Sequence, residues 1–313
     1  MEGVYEAIPV RALNSSGAAG MSHSTSELGN SKMLLQMMEF LTLHRYSFVP
    51  ASASMASPSS RQHAIDCPVS LGTAVVTGAS SGIGMATARR LSAEGFDVVV
   101  GARREDRLRA LADELGARAI RLDVTDPASV ERFCAAVPEC RVLVNAAGGA
   151  IGRERIEDAS DEDWRSMYES NVIGSLRMTR ALLPALEASG DGHVVMVVSI
   201  AAYEPYAGGG GYNAAKFAVR AMTKVLRLEL LGRPIRVTEI DPGLVKTEFS
   251  VVRFRGDERA ADAVYEGLTP LTPEDIADCI AFAVTRPSHV NIDTVVVLAR
   301  DQAGATNVHR RPT

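Results

Sequence analysis

A tyrosine and a lysine stand four residues apart in the stretch GYNAAKFAV, residues 211–219. On a helix, positions i and i+4 share one face, so the Tyr212 phenol and the Lys216 ammonium can point into the same space. A neighbouring ammonium favours the phenolate and lowers the pKa of a tyrosine from about 10. The pair therefore suits a general acid and base for an alcohol or a carbonyl, with an exposed helical pair as the alternative.

The elements that must position this pair can be read from seven short apolar runs separated by helix-length segments. The runs are too rich in Val and Ile, and too poor in polar alternation, for strands that face water on one side. They therefore predict parallel strands covered on both faces, in an α/β doubly wound, Rossmann-type sheet of about seven strands. The runs cover residues 71–77, 97–101, 117–122, 141–145, 193–199, 235–240 and 293–299.

Three of the intervening helices have recognisable starts. Asp126 precedes a proline, which indicates an N-cap followed by proline at the first helical position. Ser160 and Thr272 each stand three residues before an aspartate and read as capping boxes.

A glycine-rich turn, TGASSGIG, follows the first predicted strand and opens the first predicted helix. Glycines at such a turn let the backbone approach a pyrophosphate, which then lies at the helix N-terminus. The spacing is GxxxGxG rather than the commoner GxGxxG, and a plain glycine-rich loop is the alternative. The predicted binding residues of this turn are Thr77, Gly78, Ser80, Ser81, Gly82, Ile83 and Gly84.

Two arginines follow the second predicted strand, where a site for NAD would usually carry an acid. Guanidinium groups suit the 2′-phosphate of NADP, so NADP (NADPH) is predicted over NAD. Arg103 is favoured over Arg104 because it is nearer the strand, and either one could merely be solvated. Asp123, after the third strand, could bond the adenine amino group or simply cap its loop.

Bulk composition excludes several classes of function. The formal net charge is −5, which gives no reason to expect nucleic-acid or membrane partners. No apolar run approaches the length of a membrane span. Four cysteines without CxxC spacing predict neither a metal site nor a disulfide framework, and reduced cysteines favour the cytoplasm.

Residues 1–69 differ in composition from the rest of the chain, being rich in Ser, Ala and Pro. They predict a mostly disordered extension, in which 31–46 could form one amphipathic helix that docks on a partner. Met55 is an alternative start. Residues 70–313 are expected to form one NADP-binding catalytic domain.

These motifs together resemble the short-chain dehydrogenase/reductase family. The similar segments are TGASSGIG, VNAAG (144–148), Asn171 in ESNVIG, Ser199, YNAAK and DPGLVKTE (241–248). The resemblance implies that Tyr212 is the general acid/base and that Ser199 bonds the substrate oxygen. It also implies that Lys216 lowers the tyrosine pKa and holds the nicotinamide ribose, while Asn171 positions a relay water.

Further positions are implied as cofactor contacts by the same resemblance. It also implies a homotetramer built through helices near 161–188 and 212–231. The additional cofactor contacts are Val124, Asn145, Ala146, Ala147, Gly148, Pro242, Gly243, Val245 and Thr247.

The segment after DPG resembles the branch of NADP-dependent 3-hydroxy acid dehydrogenases that includes serine and allo-threonine dehydrogenases. The similar phrases are TEFS, VRF, PLTPEDIAD and HVNID. Arg253 and Arg255 could each bind a substrate carboxylate, with a solvated arginine as the alternative. Two departures from the branch are the glycines at 208–211 and Ala299-Arg300-Asp301. A reductase of broader carbonyls or 3-oxoacyl thioesters, and a non-catalytic NADP sensor, are the competing functions.

Overall fold

The computed structural model describes residues 70–312, which contain a parallel sheet in the order β3-β2-β1-β4-β5-β6-β7. All seven predicted runs form its strands, so the predicted fold class is confirmed. The strands are β1 (Thr73–Thr77), β2 (Asp97–Ala102), β3 (Arg118–Arg121), β4 (Val142–Asn145), β5 (Gly192–Val197), β6 (Ile235–Pro242) and β7 (Thr294–Val297).

Helices connect the strands and cover both faces of the sheet. One turn of π-helix, Glu169–Ile173, joins α4 to α5, where a single long helix was predicted. The α-helices are α1 (Gly82–Ala93), α2 (Glu105–Leu115), α3 (Pro127–Ala135), α4 (Asp161–Tyr168), α5 (Gly174–Ala188), α6 (Gly210–Glu229), α7 (Phe249–Arg253), α8 (Glu258–Ala263) and α9 (Pro273–Val284).

The strand order reverses between β1 and β4, which are neighbours in the sheet. Chain connections leave in opposite directions at this point, so a crevice opens beyond the carboxyl ends of the strands. The glycine turn after β1 and the loop after β4 lie on its two sides. This crevice is where the fold places the predicted site.

Two hydrophobic layers hold the sheet, one on each face. Phe133, Leu143 and Met178 are fully buried in the layer that includes α5 and α6. Leu91 and Ile280 are fully buried in the opposite layer, with α1 and α9. Residues alternate between the two layers along β1, β2, β4 and β5, which explains why these strands read as continuous apolar runs.

The predicted helix starts agree with the observed caps. The Asp126 side chain accepts a hydrogen bond from Ala128 N at 3.0 Å. Thr272 and Asp275 form a reciprocal capping box. The Ser160 side chain accepts a hydrogen bond from Asp163 N, but the described residues show no return bond from the Asp163 side chain, so this cap is not a full capping box.

The described part of the chain, residues 70–312, has no helix long and apolar enough to cross a membrane. The predicted extension 1–69, its helix at 31–46, Cys67 and the alternative start at Met55 lie outside the described residues.

Candidate active site

The turn after β1 approaches the loop after β4 closely. The Thr77 hydroxyl accepts hydrogen bonds from Ala146 N at 3.1 Å and Ala147 N at 3.0 Å. Gly78 has a φ of +69°, and a Cβ there would meet the Ala146 carbonyl oxygen at 2.9 Å. A Cβ on Gly84 would lie 2.5 Å from the Gly78 carbonyl oxygen. Backbone of this kind leaves a bare surface at the start of α1, which is what an approaching pyrophosphate needs.

Arg104 reaches back across this turn, although the sequence favoured Arg103. Its Nε donates to Ser80 Oγ at 3.0 Å and its Nη2 donates to Ser81 Oγ at 2.6 Å. The remaining nitrogen donates to Glu248 at 2.8 Å, and Arg107 donates to the same carboxylate at 2.6 Å. These two guanidinium groups lower the pKa of Glu248. Two arginines thus already hold one anionic group, and the two serine hydroxyls orient the first arginine; together these four side chains form a cradle.

Arg103 and Asp123 lie near each other at the ends of β2 and β3. Arg103 is exposed, and its charge contributes to lowering the pKa of Asp123. Burial opposes this shift and is the largest influence, while hydrogen bonds from Thr125 favour the carboxylate. Asp123 Oδ1 accepts from Thr125 N at 3.0 Å and from its hydroxyl at 2.7 Å, so the aspartate does cap its loop. Its neighbour Val124 is buried against Gly174.

Tyr212 and Lys216 lie on the buried face of α6. They are 8% and 7% exposed, and the Lys216 ammonium is 5.7 Å from the centre of the tyrosine ring. Burial lowers the pKa of Lys216 to about 8. Its ammonium donates to the Val197 carbonyl oxygen at 3.0 Å. The shared face predicted from the spacing is therefore present, and the exposed-pair alternative is wrong.

The Tyr212 pKa differs from the prediction. Burial raises it above the ordinary value, and Tyr206 adds to the rise. A hydrogen bond with Ser199 and the charge of Arg253 oppose the shift without cancelling it. Lys216 does not lower it here, because its ammonium is directed at a backbone carbonyl. Desolvation affects the Tyr212 pKa more strongly than was expected from the spacing of Tyr212 and Lys216 alone.

Ser199 and Asn171 approach the pair from two other elements. Ser199 follows β5, and its hydroxyl lines the same cavity as the Tyr212 and Lys216 side chains. Asn171 is buried in the π-helical turn and donates to the Gly149 carbonyl oxygen at 2.9 Å. Its Oδ1 is buried without a hydrogen-bond partner in the described residues. An acceptor left free beside the cavity loop is suited to a water molecule.

The loops after β4 and β6 complete the crevice. Asn145 bonds the Thr179 hydroxyl at 3.0 Å and is buried, so it braces the sheet rather than facing the cavity. Ala147 packs against the core, whereas six other predicted positions of these loops line the cavity. The six are Ala146, Gly148, Pro242, Gly243, Val245 and Thr247, and Ile83 of the turn after β1 lines the cavity as well.

The cavity in front of Tyr212 has a volume of about 460 Å³. Its charged lining residues are Arg153, Lys216, Arg253 and Arg310, and no described acid lines it. A cavity with cations and no carboxylate attracts an anionic ligand.

Arg253 and Arg255 have opposite environments. Arg253 is 8% exposed, and its guanidinium donates to the Gly152 carbonyl oxygen, the Tyr206 hydroxyl and the Gly208 carbonyl oxygen. No carboxylate of the described residues pairs with it, so its charge is uncompensated. Arg255 is exposed and donates to Asp163 at 2.7 Å, outside the cavity lining. Of the two predicted substrate arginines, the structure brings Arg253 into the cavity.

Several cavity residues escaped the sequence interpretation. Arg153 comes from the loop after β4, Tyr206 from the segment before α6, and Arg310 from the C-terminal end. The C-terminal segment is held in place by Gln302, whose Oε1 accepts from Leu244 N at 2.9 Å. No local pattern marks these residues, since they meet only through long-range packing.

The four glycines at 208–211 have a packing reason. A Cβ on Gly208 would lie 2.5 Å from the Arg153 carbonyl oxygen, and one on Gly211 would lie 2.4 Å from the Met167 side chain. The glycines allow the start of α6 to pack closely against its neighbours, so this departure shapes one wall of the cavity.

Metal ligands form no cluster in the part of the chain that the structure describes: no three His, Cys, Asp or Glu side chains are grouped to hold an ion.

A parallel sheet with a switch-point crevice, a glycine turn and a buried Tyr–Lys pair defines a class of nucleotide-dependent oxidoreductases. Residues 72–257 match the model of the short chain dehydrogenase family. The chain belongs to the short-chain dehydrogenase/reductase family, as its motifs predicted.

Relatives narrow the similarity further. An uncharacterized oxidoreductase of Mycobacterium tuberculosis (strain ATCC 25618 / H37Rv) is 58% identical over 239 residues, covering 76% of this chain and 95% of the relative. The NADP-dependent 3-hydroxy acid dehydrogenase YdfG of Salmonella typhi is 45% identical over 244 residues, covering 75% of this chain and 98% of that protein. The closed form of a serine dehydrogenase complexed with NADP+ matches with a TM-score of 0.73 at 42% identity, covering 76% of this chain and 100% of that one. The predicted resemblance to the 3-hydroxy acid dehydrogenase branch is confirmed.

Proposed function

We propose that this protein is an NADP-dependent oxidoreductase that interconverts a small 3-hydroxy acid and the corresponding carbonyl compound. The observation that supports this most directly is the cavity itself. The Tyr212 phenol and the uncompensated guanidinium of Arg253 line one space without any described acid. A substrate with a carboxylate near its hydroxyl carbon can contact both groups. The names of the relatives support the same substrate class.

The chemistry follows from the residues around the phenol. Tyr212 takes the hydroxyl proton from the alcohol, or returns it to the carbonyl oxygen in the reverse direction. Ser199 donates a hydrogen bond to that oxygen, where charge changes during reaction. The bound nicotinamide supplies hydride transfer. Lys216 stays charged below its pKa of about 8, so near neutral pH its ammonium can hold the nicotinamide ribose, and it would stabilise the phenolate once it turns from the Val197 carbonyl oxygen to the phenol.

Asn171 completes the proposed catalytic group through its free Oδ1. A water held there can exchange a proton between Lys216 and solvent. The π-helical turn supports this role, because such turns are frequent at functional sites and here it directs the amide toward the Gly149 loop.

NADP is favoured over NAD by the cradle at the turn. Arg104, Ser80 and Ser81 offer charged and neutral donors where the 2′-phosphate of NADP would lie. Arg103 is proposed to contact the same phosphate or the adenine from the exposed side. The bare backbone at Gly78 and Gly84 fits the pyrophosphate. Asp123 has a second oxygen available for the adenine amino group.

The alternative is a reductase of broader carbonyls or 3-oxoacyl thioesters. Apolar side chains on one wall of the cavity favour it, among them Phe249, Phe254 and Val264. The same catalytic residues would serve that reaction. A non-catalytic sensor is disfavoured, because a sensor would not need a buried lysine beside a buried phenol.

Assembly and location are proposed from the family resemblance. Phe217, Val225 and Leu228 are exposed apolar residues on α6, at 41%, 51% and 69% exposure. A homotetramer that covers this helix and α4–α5 would bury them. We propose that residues 70–313 form one catalytic domain and that the enzyme is cytoplasmic.

The test is a rate measurement on the purified chain. Absorbance of reduced nicotinamide is followed with NADP and a panel of 3-hydroxy acids that includes serine and allo-threonine. Turnover is expected with NADP at more than about tenfold higher kcat/KM than with NAD, given one charge-assisted contact. Tyr212→Phe should abolish it while cofactor binding remains.

Two outcomes would count against the proposal. Turnover retained by Tyr212→Phe would remove Tyr212 as the acid/base. Binding of NADP without activity on any acid, followed by turnover of uncharged ketones, would favour the alternative.

A further inference from the structure

Two acidic side chains are completely buried behind the catalytic group. Glu239 and Asp241 on β6 are both 0% exposed. They stand two residues apart on a strand and therefore point to the same face. One phenol contacts both: the Tyr203 hydroxyl is 3.3 Å from Glu239 Oε1 and 2.9 Å from Asp241 Oδ2. Burial raises the pKa of both carboxyl groups, and two negative charges around one phenol disfavour double ionisation, so we expect the pair to hold a proton near neutral pH.

Hydrogen bonds decide which acid carries that proton. Asp241 accepts from the Ser199 backbone N–H at 3.2 Å and from the Tyr203 hydroxyl at 2.9 Å. Glu239 Oε2 is buried without a partner among the described residues. Burial raises the pKa of Asp241 too, but the hydrogen bonds from Tyr203 and Ser199 oppose that rise and stabilise its charged form, so Asp241 is the carboxylate and Glu239 the protonated acid. Burial, followed by the charge of Asp241, raises the pKa of Glu239 to about 7, in agreement with this assignment.

One nearby cation acts against the assignment. Arg220 Nε is 3.6 Å from Glu239 Oε1, and its guanidinium carbon is 3.5 Å from the centre of the Tyr203 ring. This side chain is 33% exposed, so solvent screens part of its charge. The charged or titratable groups that face the pair are Tyr203 beside β5, Lys216, Arg220 and Lys224 on α6, and Asp293 before β7, which pairs with Lys224.

Asp241 connects this pair to the catalytic residues. Its carboxylate accepts from Ser199 N at 3.2 Å, and the Lys216 ammonium donates at 3.0 Å to the carbonyl oxygen of Val197, which pairs with Ile240 beside Asp241. Both side chains are therefore held where β5 and β6 end side by side, and the charge of Asp241 acts on Lys216. Burial lowers the pKa of Lys216, and Asp241 opposes that shift. A neutral lysine could not stabilise a phenolate, so the distant carboxylate matters to the proton chemistry although it touches no substrate.

We propose that Glu239 and Asp241 share one proton held on Glu239, and that the Asp241 carboxylate is a positioning residue that keeps Lys216 charged near neutral pH. The consequence for catalysis rests on the proposed oxidoreductase function. The charge relation between Asp241 and Lys216 does not, and it can be measured without substrate.

The first experiment measures the Lys216 pKa directly by side-chain ¹⁵N NMR on lysine-labelled full-length protein. The chain has four lysines, so the spectrum is simple, and Lys216→Met assigns the signal. Asp241→Asn is expected to lower the Lys216 pKa by about one unit, because a nearby opposite charge is removed. Glu239→Gln should shift it much less, because glutamine is isosteric with the protonated acid. Equal shifts in both variants, or none in Asp241→Asn, would overturn the proposal.

The second experiment follows kcat for alcohol oxidation against pH. Lys216 loses its charge as pH rises through its pKa, so activity falls on the alkaline side. In Asp241→Asn the alkaline fall in kcat should move to lower pH by about the change in the Lys216 pKa measured by NMR. In Glu239→Gln it should stay at the wild-type pH. A fall that stays in place despite the NMR shift would refute the catalytic consequence. Absence of turnover in the wild type, with the NMR shift present, would instead refute the proposed function.

Discussion

The turn after β1 and the lid after β6 face each other across the crevice but are held together by different means. The turn is fixed by backbone: the Thr77 hydroxyl accepts from two amides of the β4 loop, and no Cβ fits at Gly78. The lid, which contains α7 and α8, is fixed by side chains. Ser250 bonds Tyr265 at 2.8 Å, and Arg255 pairs with Asp163 at 2.7 Å.

This difference determines which ligand contacts amino-acid substitutions can change and which they cannot. A backbone site tolerates no side chain at its closest contacts, so the turn keeps one shape, which we propose fits the pyrophosphate. A site built from side chains can alter its charge or volume one residue at a time. We therefore propose that the lid determines substrate preference and that the turn determines cofactor binding.

Gly78→Ala should have the largest effect. Its φ of +69° already disfavours alanine, and the added Cβ would meet Ala146 O and Ala147 Cα at 2.9 Å. We expect a loss of about 3 kcal/mol or more in the free energy of unfolding and more than about 100-fold weaker NADP binding. Urea unfolding and fluorescence titration with NADPH measure the two effects.

Gly116→Ala is the matched control. Gly116 has a similar φ of +64° at the end of α2, but nothing lies within 4 Å of its added Cβ. It should lose about 1 kcal/mol of stability from backbone strain and bind NADPH normally. If both variants lost the same stability, the close approach of the two loops would not be what fixes the turn.

Arg253→Leu tests the lid. Removing the buried guanidinium should lower kcat/KM for a 3-hydroxy acid about 50-fold, since a charge-assisted contact is worth about 1.5–3 kcal/mol. The kcat/KM for an uncharged alcohol or ketone should fall little. This comparison distinguishes the loss of carboxylate binding from damage to the cavity.

Arg255→Leu is the control for this variant, because Arg255 is exposed and pairs with Asp163 outside the cavity. It should keep wild-type kcat/KM. An equal loss on acids and uncharged substrates in Arg253→Leu would mean that Arg253 supports Tyr206 and the loop rather than binding a carboxylate.

The sequence predicted the backbone site better than the side-chain site for a physical reason. Glycines, strand runs and the Tyr212–Lys216 spacing are local patterns, because each follows from the geometry of one turn or one helix. Arg153 and Arg310 are far apart in the sequence and line one cavity, and no short-range pattern brings them together. The sequence also underestimated burial, which reverses the expected direction of the Tyr212 pKa.

Arg104→Ala should have an intermediate effect on the cofactor side. Arg104 contacts Ser80, Ser81 and Glu248, so its loss should raise the KM for NADP about 20-fold and leave the KM for NAD nearly unchanged. Arg103→Ala should raise the KM for NADP by less, because Arg103 is exposed and lies outside the cradle. If Arg103→Ala raised the KM for NADP more than Arg104→Ala, Arg103 would be the residue that binds the 2′-phosphate, as its position next to the strand first indicated.

Arg310→Ala should have the smallest effect and tests whether the C-terminal segment belongs to the lid. Arg310 lines the cavity but is exposed, and its guanidinium donates to the carbonyl oxygens of Glu266 and Val264. Solvent screens its charge, so the KM for a 3-hydroxy acid should rise only about threefold, with kcat unchanged. Initial rates across substrate concentrations measure both constants. A loss as large as that of Arg253→Leu would mean that the segment closes over the substrate and that its arginine binds the carboxylate directly.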